Sequence, residues 1–113
     1  ANKEARDVLG TLHNPHIALF ATAGVPPQME HAKQSLINAA ACLPEGVVPV
    51  DTFICQGKVD PKVIEMMYKM FPKGHSHGQS ADRDARHKQA AVHPNEDDCK
   101  AAMEFAKHVL DVI

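Results

Sequence analysis

Ala5, Val8, Leu9 and Leu12 recur at the spacing of one helix face, and Lys3, Glu4, Arg6 and Asp7 fill the positions between them. The pattern predicts an amphipathic helix over about residues 2 to 12. His13, Asn14 and Pro15 break the period, and Ile17 to Ala23 form a short apolar run. Its length and flanks predict a strand buried on both faces. Pro26 and Pro27 suit the entry to a second helix, where a fixed φ is favourable and a missing N–H costs nothing. Met29, Ala32, Leu36, Ala39, Ala40 and Leu43 supply its apolar face, and Pro44, Glu45 and Gly46 end it. Val47 to Cys55 is rich in β-branched and aromatic residues but contains Pro49 and Asp51, which predicts an edge strand.

Asp60 with Pro61 behind it opens a third helix, whose face is Val63, Met67, Met70 and Phe71. "PKGHSHGQS", residues 72 to 80, reads as loop, and Ser80 is placed to cap a short polar helix through about residue 91. Asn95 caps the last helix, with Glu96, Asp97 and Asp98 at the positive end of its dipole. Cys99, Ala102, Met103, Ala106, Val109, Leu110 and Ile113 form its stripe. The order helix, strand, helix, strand, helix, helix, helix is an α/β layout built on one βαβ unit with a right-handed crossover.

Two strands leave much unpaired edge, and a strand as apolar as Ile17 to Ala23 expects a neighbour on each side. A partner for its free edge is therefore expected. Either a second copy pairs with it, making a homodimer whose central strands run antiparallel, or a missing amino-terminal half supplies the neighbour.

Length and charge narrow the classes. With 113 residues the chain is one domain, 1–113, and with 12 Lys plus Arg against 14 Asp plus Glu it has a formal charge of -2. No basic block tracks a phosphate backbone, so nucleic acid is not an expected partner. No run approaches the roughly 18 apolar residues of a membrane span, and no leader opens the chain. The reading is a soluble, cytoplasmic protein without a membrane partner. Cys42, Cys55 and Cys99 match neither a disulfide framework nor a CxxC pair, and are expected to be reduced and mostly buried. The chain starts at Ala1, apparently already within a helix, so its beginning reads as a cut.

Candidate chemistry gathers at the end of the first strand. In open parallel sheets ligands bind beyond the carboxyl ends of the strands, where small residues let backbone N–H groups approach them. Thr22, Ala23 and Gly24 stand at such a place, with glycine expected for close approach and for access to positive φ. The same loop also reads as an ordinary βα turn. Neither GxGxxG nor GxxxxGK[ST] occurs, so a dinucleotide or nucleoside-triphosphate site has no support. His75 and His77, with His87 and His93 further on, offer at most two ligands at close spacing and read as solvated loop residues. Cys55 lacks a base fixed nearby and reads as a buried cysteine ending a strand, with Gln56 bonded to neighbouring loop backbone. Met66, Met67 and Met70 read as core packing, or as a docking face if exposed.

Three segments, "IALFATAGVPPQMEHA", "FICQGKVDPKVIEMM" and "HPNEDDCKAAMEFAKHVL", taken in that order, resemble the second part of a short bacterial flavodoxin-like domain family. The resemblance spans nearly the whole chain. It implies a three-layer fold whose complete form has five parallel strands in the order 2-1-3-4-5 and holds FMN at the strand ends. Residues 17 to 23 would be the fourth strand and 49 to 55 the fifth. Ala21, Thr22, Ala23 and Gly24 would then offer backbone amides and a hydroxyl to the flavin edge, and Val25 and Pro26 an apolar lip. The first three strands and the phosphate-binding loop of the family are absent from these residues. The loop at 21 to 26 also lacks an aromatic residue, because Tyr68 lies in a helix. The implied function is an FMN-dependent electron-transfer module with a redox partner protein, an electron carrier rather than a stand-alone enzyme. The rival is a non-flavin protein-interaction module on a truncated flavodoxin-like fold.

Overall fold

The computed structural model describes residues 2–72, 74, 75, 78 and 80–113. Seven elements follow in the predicted order: α1 (Lys3–Leu9), β1 (Ala18–Ala23), α2 (Glu30–Ala40), β2 (Asp51–Gln56), α3 (Pro61–Met70), α4 (Ala81–Ala90) and α5 (Glu96–Val112). Side chains cap four of the helices. The Asn2, Asp60, Ser80 and Asn95 oxygens accept from Ala5, Lys62, Arg83 and Asp98 N–H, the last as a reciprocal capping box.

Two boundaries differ from the pattern. The proline pair does not open α2. Pro27 keeps the residue before it out of the helical region, so Pro26 opens a turn in which its carbonyl accepts from Met29 N–H at 3.1 Å, and Met29 becomes the cap. β2 starts at Asp51 rather than Val47, because Pro49 cannot donate to a ladder. Val50 N–H makes the first bond to the neighbouring strand, 2.8 Å to Ile17 C=O.

β1 and β2 form a two-stranded parallel sheet with Phe20 opposite Phe53, Thr22 opposite Cys55 and Ala23 opposite Gln56. Side chains alternate between the faces. Leu19 and Thr52 lie beside α2 residues such as Leu36, and α1 runs along the same side. On the opposite face Phe53 stacks on Phe105 of α5, ring centroids 5.6 Å apart. The result is helix, sheet, helix, with parallel strands between flanking helices, as the resemblance implies. α3 and α4 stand beyond the carboxyl ends of the strands, joined where Tyr68 Oη donates to Asp84 Oδ1 at 3.2 Å.

The core is small: Ile17, Ala32, Leu43, Cys55 and Ala90 are its buried apolar residues. Burial of β1 on both faces is not achieved within this chain, since Phe20 is 79% exposed. A compact protein of 12.3 kDa exposes about 6,100 Å² and has a radius of gyration of about 13 Å. Here the values are 8036 Å² and 16.1 Å. The extra surface is apolar in good part. Met66 and Met70 of α3 are exposed, so the methionine cluster is not core packing, and only Met67 is half-buried. On α5 the half-buried positions are Asp98, Ala102, Phe105 and Val109, while Cys99, Met103, Ala106, Leu110 and Ile113 are exposed. The predicted stripe therefore omitted Phe105, the residue that anchors the helix to the sheet. Of the cysteines only Cys55 is buried. Among the described residues no helix is long and apolar enough to cross a membrane.

Candidate functional site

Residues 21 to 26 leave the carboxyl end of β1 and divide by geometry. Ala21, Thr22 and Ala23 are still in the sheet, paired with Ile54, Cys55 and Gln56. Their backbone amides serve either the ladder or the free edge of β1. Thr22 shares the face of Phe20 and borders the α5 side, where its Cβ sits 3.2 Å from where a Cβ on Gly57 would be. Gly24, Val25 and Pro26 lie beyond the strand and are half-buried. Among the described residues, neither Gly24 N–H nor Val25 N–H donates a hydrogen bond. Those two groups are what the loop can offer to an acceptor on a ligand, with Val25 and Pro26 beside them as apolar cover.

The loop is held from β2. Gln56 is 2% exposed, and its Nε2 donates to Gly24 C=O at 3.1 Å, while Gly57 N–H donates to Ala23 C=O at 2.7 Å. A buried amide at the end of one strand thus fixes the turn at the end of the next. The loop bond expected of Gln56 is present, and its partner lies 32 residues away. Gly24 does not adopt the positive φ expected of it. Positive φ occurs only at Gly46 and Gly74 among the described residues. A Cβ at Gly24 would instead stand 2.6 Å from Val59 Cγ2, inside any normal contact.

Beside this loop opens a cleft of about 430 Å³. Gly24, Val25 and Met67 form apolar wall, and His31 of α2 with Arg83, Arg86 and His87 of α4 bring basic groups to it. Sequence reasoning passed over His31, Arg83 and Arg86, and named His87 only among histidines too scattered for a metal site. The available signal was the spacing of Arg83, Arg86 and His87, three and four residues apart and so on one helix face. His87 is not a solvated loop residue: it lies in α4, is half-buried, and both its ring nitrogens are buried without a hydrogen-bond partner. Burial, reinforced by Arg83 and Arg86, pushes its pKa below the ordinary histidine value. The neutral ring is the favoured form.

The other candidates fall apart in space. His93 is not solvated either, since its Nδ1 lies 2.6 Å from Asp98 Oδ2. His75 is exposed and stacks on Phe71 at 4.6 Å, and His77 lies outside the described residues. Among the described residues no three His, Cys, Asp or Glu converge as metal ligands would. Burial, with the negative charges of Asp98 and Cys99 nearby, raises the pKa of the Cys55 thiol, the opposite of what an activated nucleophile needs.

A second hollow runs along the α5 side of the sheet, bounded by Phe20, Phe53, Pro94, Ala102 and Phe105 and almost wholly apolar. It faces the free edge of β1, where a further strand and its helix would stand in a complete sheet.

The chain is 28% identical over 113 residues to the flavodoxin-like domain-containing protein BilS of Clostridioides difficile, a match covering 96% of this chain and 62% of that protein. It is 34% identical over 92 residues to BilS of Clostridium symbiosum, covering 80% of this chain and 48% of that protein. The chain thus spans between about half and three-fifths of these curated relatives. No solved structure matches it. The flavodoxin domain family matches residues 1–107, and the chain belongs to that family.

Proposed function

We propose that the chain is the carboxyl-terminal portion of an FMN-dependent electron-transfer module. The observation that carries this reading is the loop at the end of β1, where among the described residues the Gly24 and Val25 N–H groups have no acceptor and Gln56 holds Gly24 by its carbonyl. Bound FMN would supply one- and two-electron transfer. The residues of this chain would hold one edge of the ring: Gly24 and Val25 donate to its polar rim, Val25 and Pro26 exclude water, and Gln56 keeps the turn from relaxing. They fit that part of the group and no more. The seat for the phosphate and an aromatic residue to stack on the ring are to come from elsewhere in the complete domain.

The same reading assigns the free edge of β1 and the apolar hollow beside it. A third parallel strand from the amino-terminal half pairs with that edge, and its helix covers Phe20. An electron carrier also needs a redox partner protein, and exposed Met66 and Met70 on α3 offer adaptable apolar contacts for one. Titration of the full-length protein with FMN, followed by flavin fluorescence and absorbance, tests the proposal. Stoichiometric binding that weakens at least tenfold in Gln56→Leu is expected. A colourless protein that ignores added FMN sinks it. The protein-interaction module then stands, a reading favoured by the exposure of Phe20 in so apolar a hollow.

A further inference from the structure

The chain has three arginines, Arg6, Arg83 and Arg86, and a net charge of -2. Two of the three border one cleft, together with two of the eight histidines, and no carboxylate is among the described residues that line it. Asp84 on the same helix accepts from Tyr68 Oη at 3.2 Å and also acts on His87, against the two arginines. Arg86 forms no ion pair among the described residues. A surface that merely solubilised α4 would scatter its charges outward. Here Arg83, Arg86 and His87 are gathered instead along a hollow with an apolar wall, and both ring nitrogens of His87 are buried without a hydrogen-bond partner.

We infer that this cleft is a binding site for a small oxyanion, a carboxylate or phosphate borne on a partly apolar molecule, held by Arg83 and Arg86 with His87 and His31 completing the ring of donors. Guanidinium is the side chain best matched to such groups, because its N–H pairs meet two oxygens at once and stay charged at any physiological pH. A neutral imidazole adds one N–H donor. An oxyanion would give His87 the partner that it lacks, which relieves the cost of burying a polar group unpaired. Gly24 and Val25 form part of the same wall, so the anion would lie against the loop at the carboxyl end of β1. The inference stands on the cleft alone and does not depend on flavin binding.

Titration of the full-length protein with inorganic phosphate, read by the ring-proton NMR signals of His87, tests it. A saturable shift at His87 is expected, weakening as ionic strength rises. The paired change Arg83→Gln with Arg86→Gln should raise the apparent Kd at least tenfold, and Lys62→Gln on the exposed start of α3 should leave it unchanged. Arg86→Lys provides the reading if the paired variant does not fold, because it keeps the charge, loses the two-point contact and should weaken binding several-fold. Absence of a saturable shift, or equal affinity in the arginine variants, overturns the site. Competition identifies the source of the oxyanion. If FMN displaces phosphate and riboflavin does not, the cleft takes the flavin's own phosphate; if neither does, it takes a separate small molecule.

Discussion

Phe20 and Phe53 face each other across the two strands, on the same side of one sheet, and their environments differ completely. Phe53 stacks on Phe105 at 5.6 Å, whereas Phe20 is 79% exposed. Nothing in the residue type or the backbone distinguishes them. What differs is position in the sheet: β2 has α5 above it, and β1 has an unpaired edge with no helix over its α5 face. One half of this sheet is closed, and the other is a seam.

The largest expected effect exploits that contrast. Phe53→Ala removes a ring packed on another ring and should destabilise by about 2–3 kcal/mol, somewhat less than for a fully enclosed phenylalanine. Phe20→Ala in the 113-residue chain should change stability by no more than about 0.5 kcal/mol, because the ring touches mostly water. In the full-length protein, where the seam is proposed to be covered, the two substitutions should cost alike. Urea unfolding of both variants in both lengths makes the comparison. Equal costs already in the short chain would mean that a second copy covers Phe20 there, and sedimentation would then find a dimer.

Next in size is Gln56, the tie between the closed half and the candidate loop. Gln56→Leu keeps the volume but leaves Gly24 C=O without its donor, which should cost about 1–3 kcal/mol. Gly24→Ala should cost a similar amount or slightly less, about 1–2 kcal/mol, as its methyl meets Val59. Combining it with Val59→Ala should recover much of that cost. If it does not, crowding by Val59 is not why position 24 is glycine. Any effect of Gly24 variants on a ligand must be read against this loss of stability.

Local order was legible in the chain, and what depends on distant contacts was not. The caps at Asp60, Ser80 and Asn95 follow from side chains reaching their own helix ends, so a few neighbouring residues suffice to predict them. The apolar run of β1 announced an unmet need for neighbours. Phe105 was missed because an i, i+3, i+4 stripe on α5 was drawn through Cys99 and Met103, and only the position of β2 decides which part of a wide apolar face is inward. The cleft was missed for the same reason. Arg83, Arg86 and His87 read as a polar helix face until α4 is seen to fold back towards Gly24. For α3, periodicity named Val63, Met67, Met70 and Phe71, but the half-buried positions of the helix are Ile64, Met67 and Tyr68, because only the neighbouring elements decide which side of a broad apolar surface is covered.

The smallest effect concerns the capping box of α5, on the closed side of the molecule, and its sign is fixed by the bonds present. Asp98 Oδ2 lies 2.6 Å from His93 Nδ1 and accepts from Asn95 N–H at 2.8 Å, and these two bonds, the histidine first, hold its pKa below the ordinary 3.8. A carboxyl whose pKa is lower folded than unfolded binds fewer protons in the native state. Its contribution is therefore complete above pH 3.8 and is lost as pH falls through the lower folded value. Asp98→Asn should flatten the part of the acid-unfolding curve below about pH 4 and leave its neutral limb parallel to that of the wild type, since an amide can replace some of the bonds but cannot titrate. Because α5 is what closes the sheet over Phe53, acid should loosen this side of the molecule while leaving the exposure of Phe20 unchanged. Thiol labelling supplies the readout: Cys55, buried beneath α5, should become accessible to a dipyridyl disulfide, which reacts with thiols in acid, as pH is lowered below about 4, and should do so at a lower pH in the wild type than in Asp98→Ala, where neither bond can form. Equal accessibility in the two proteins would show that the box stabilises the first turn of α5 without controlling its seat on the sheet.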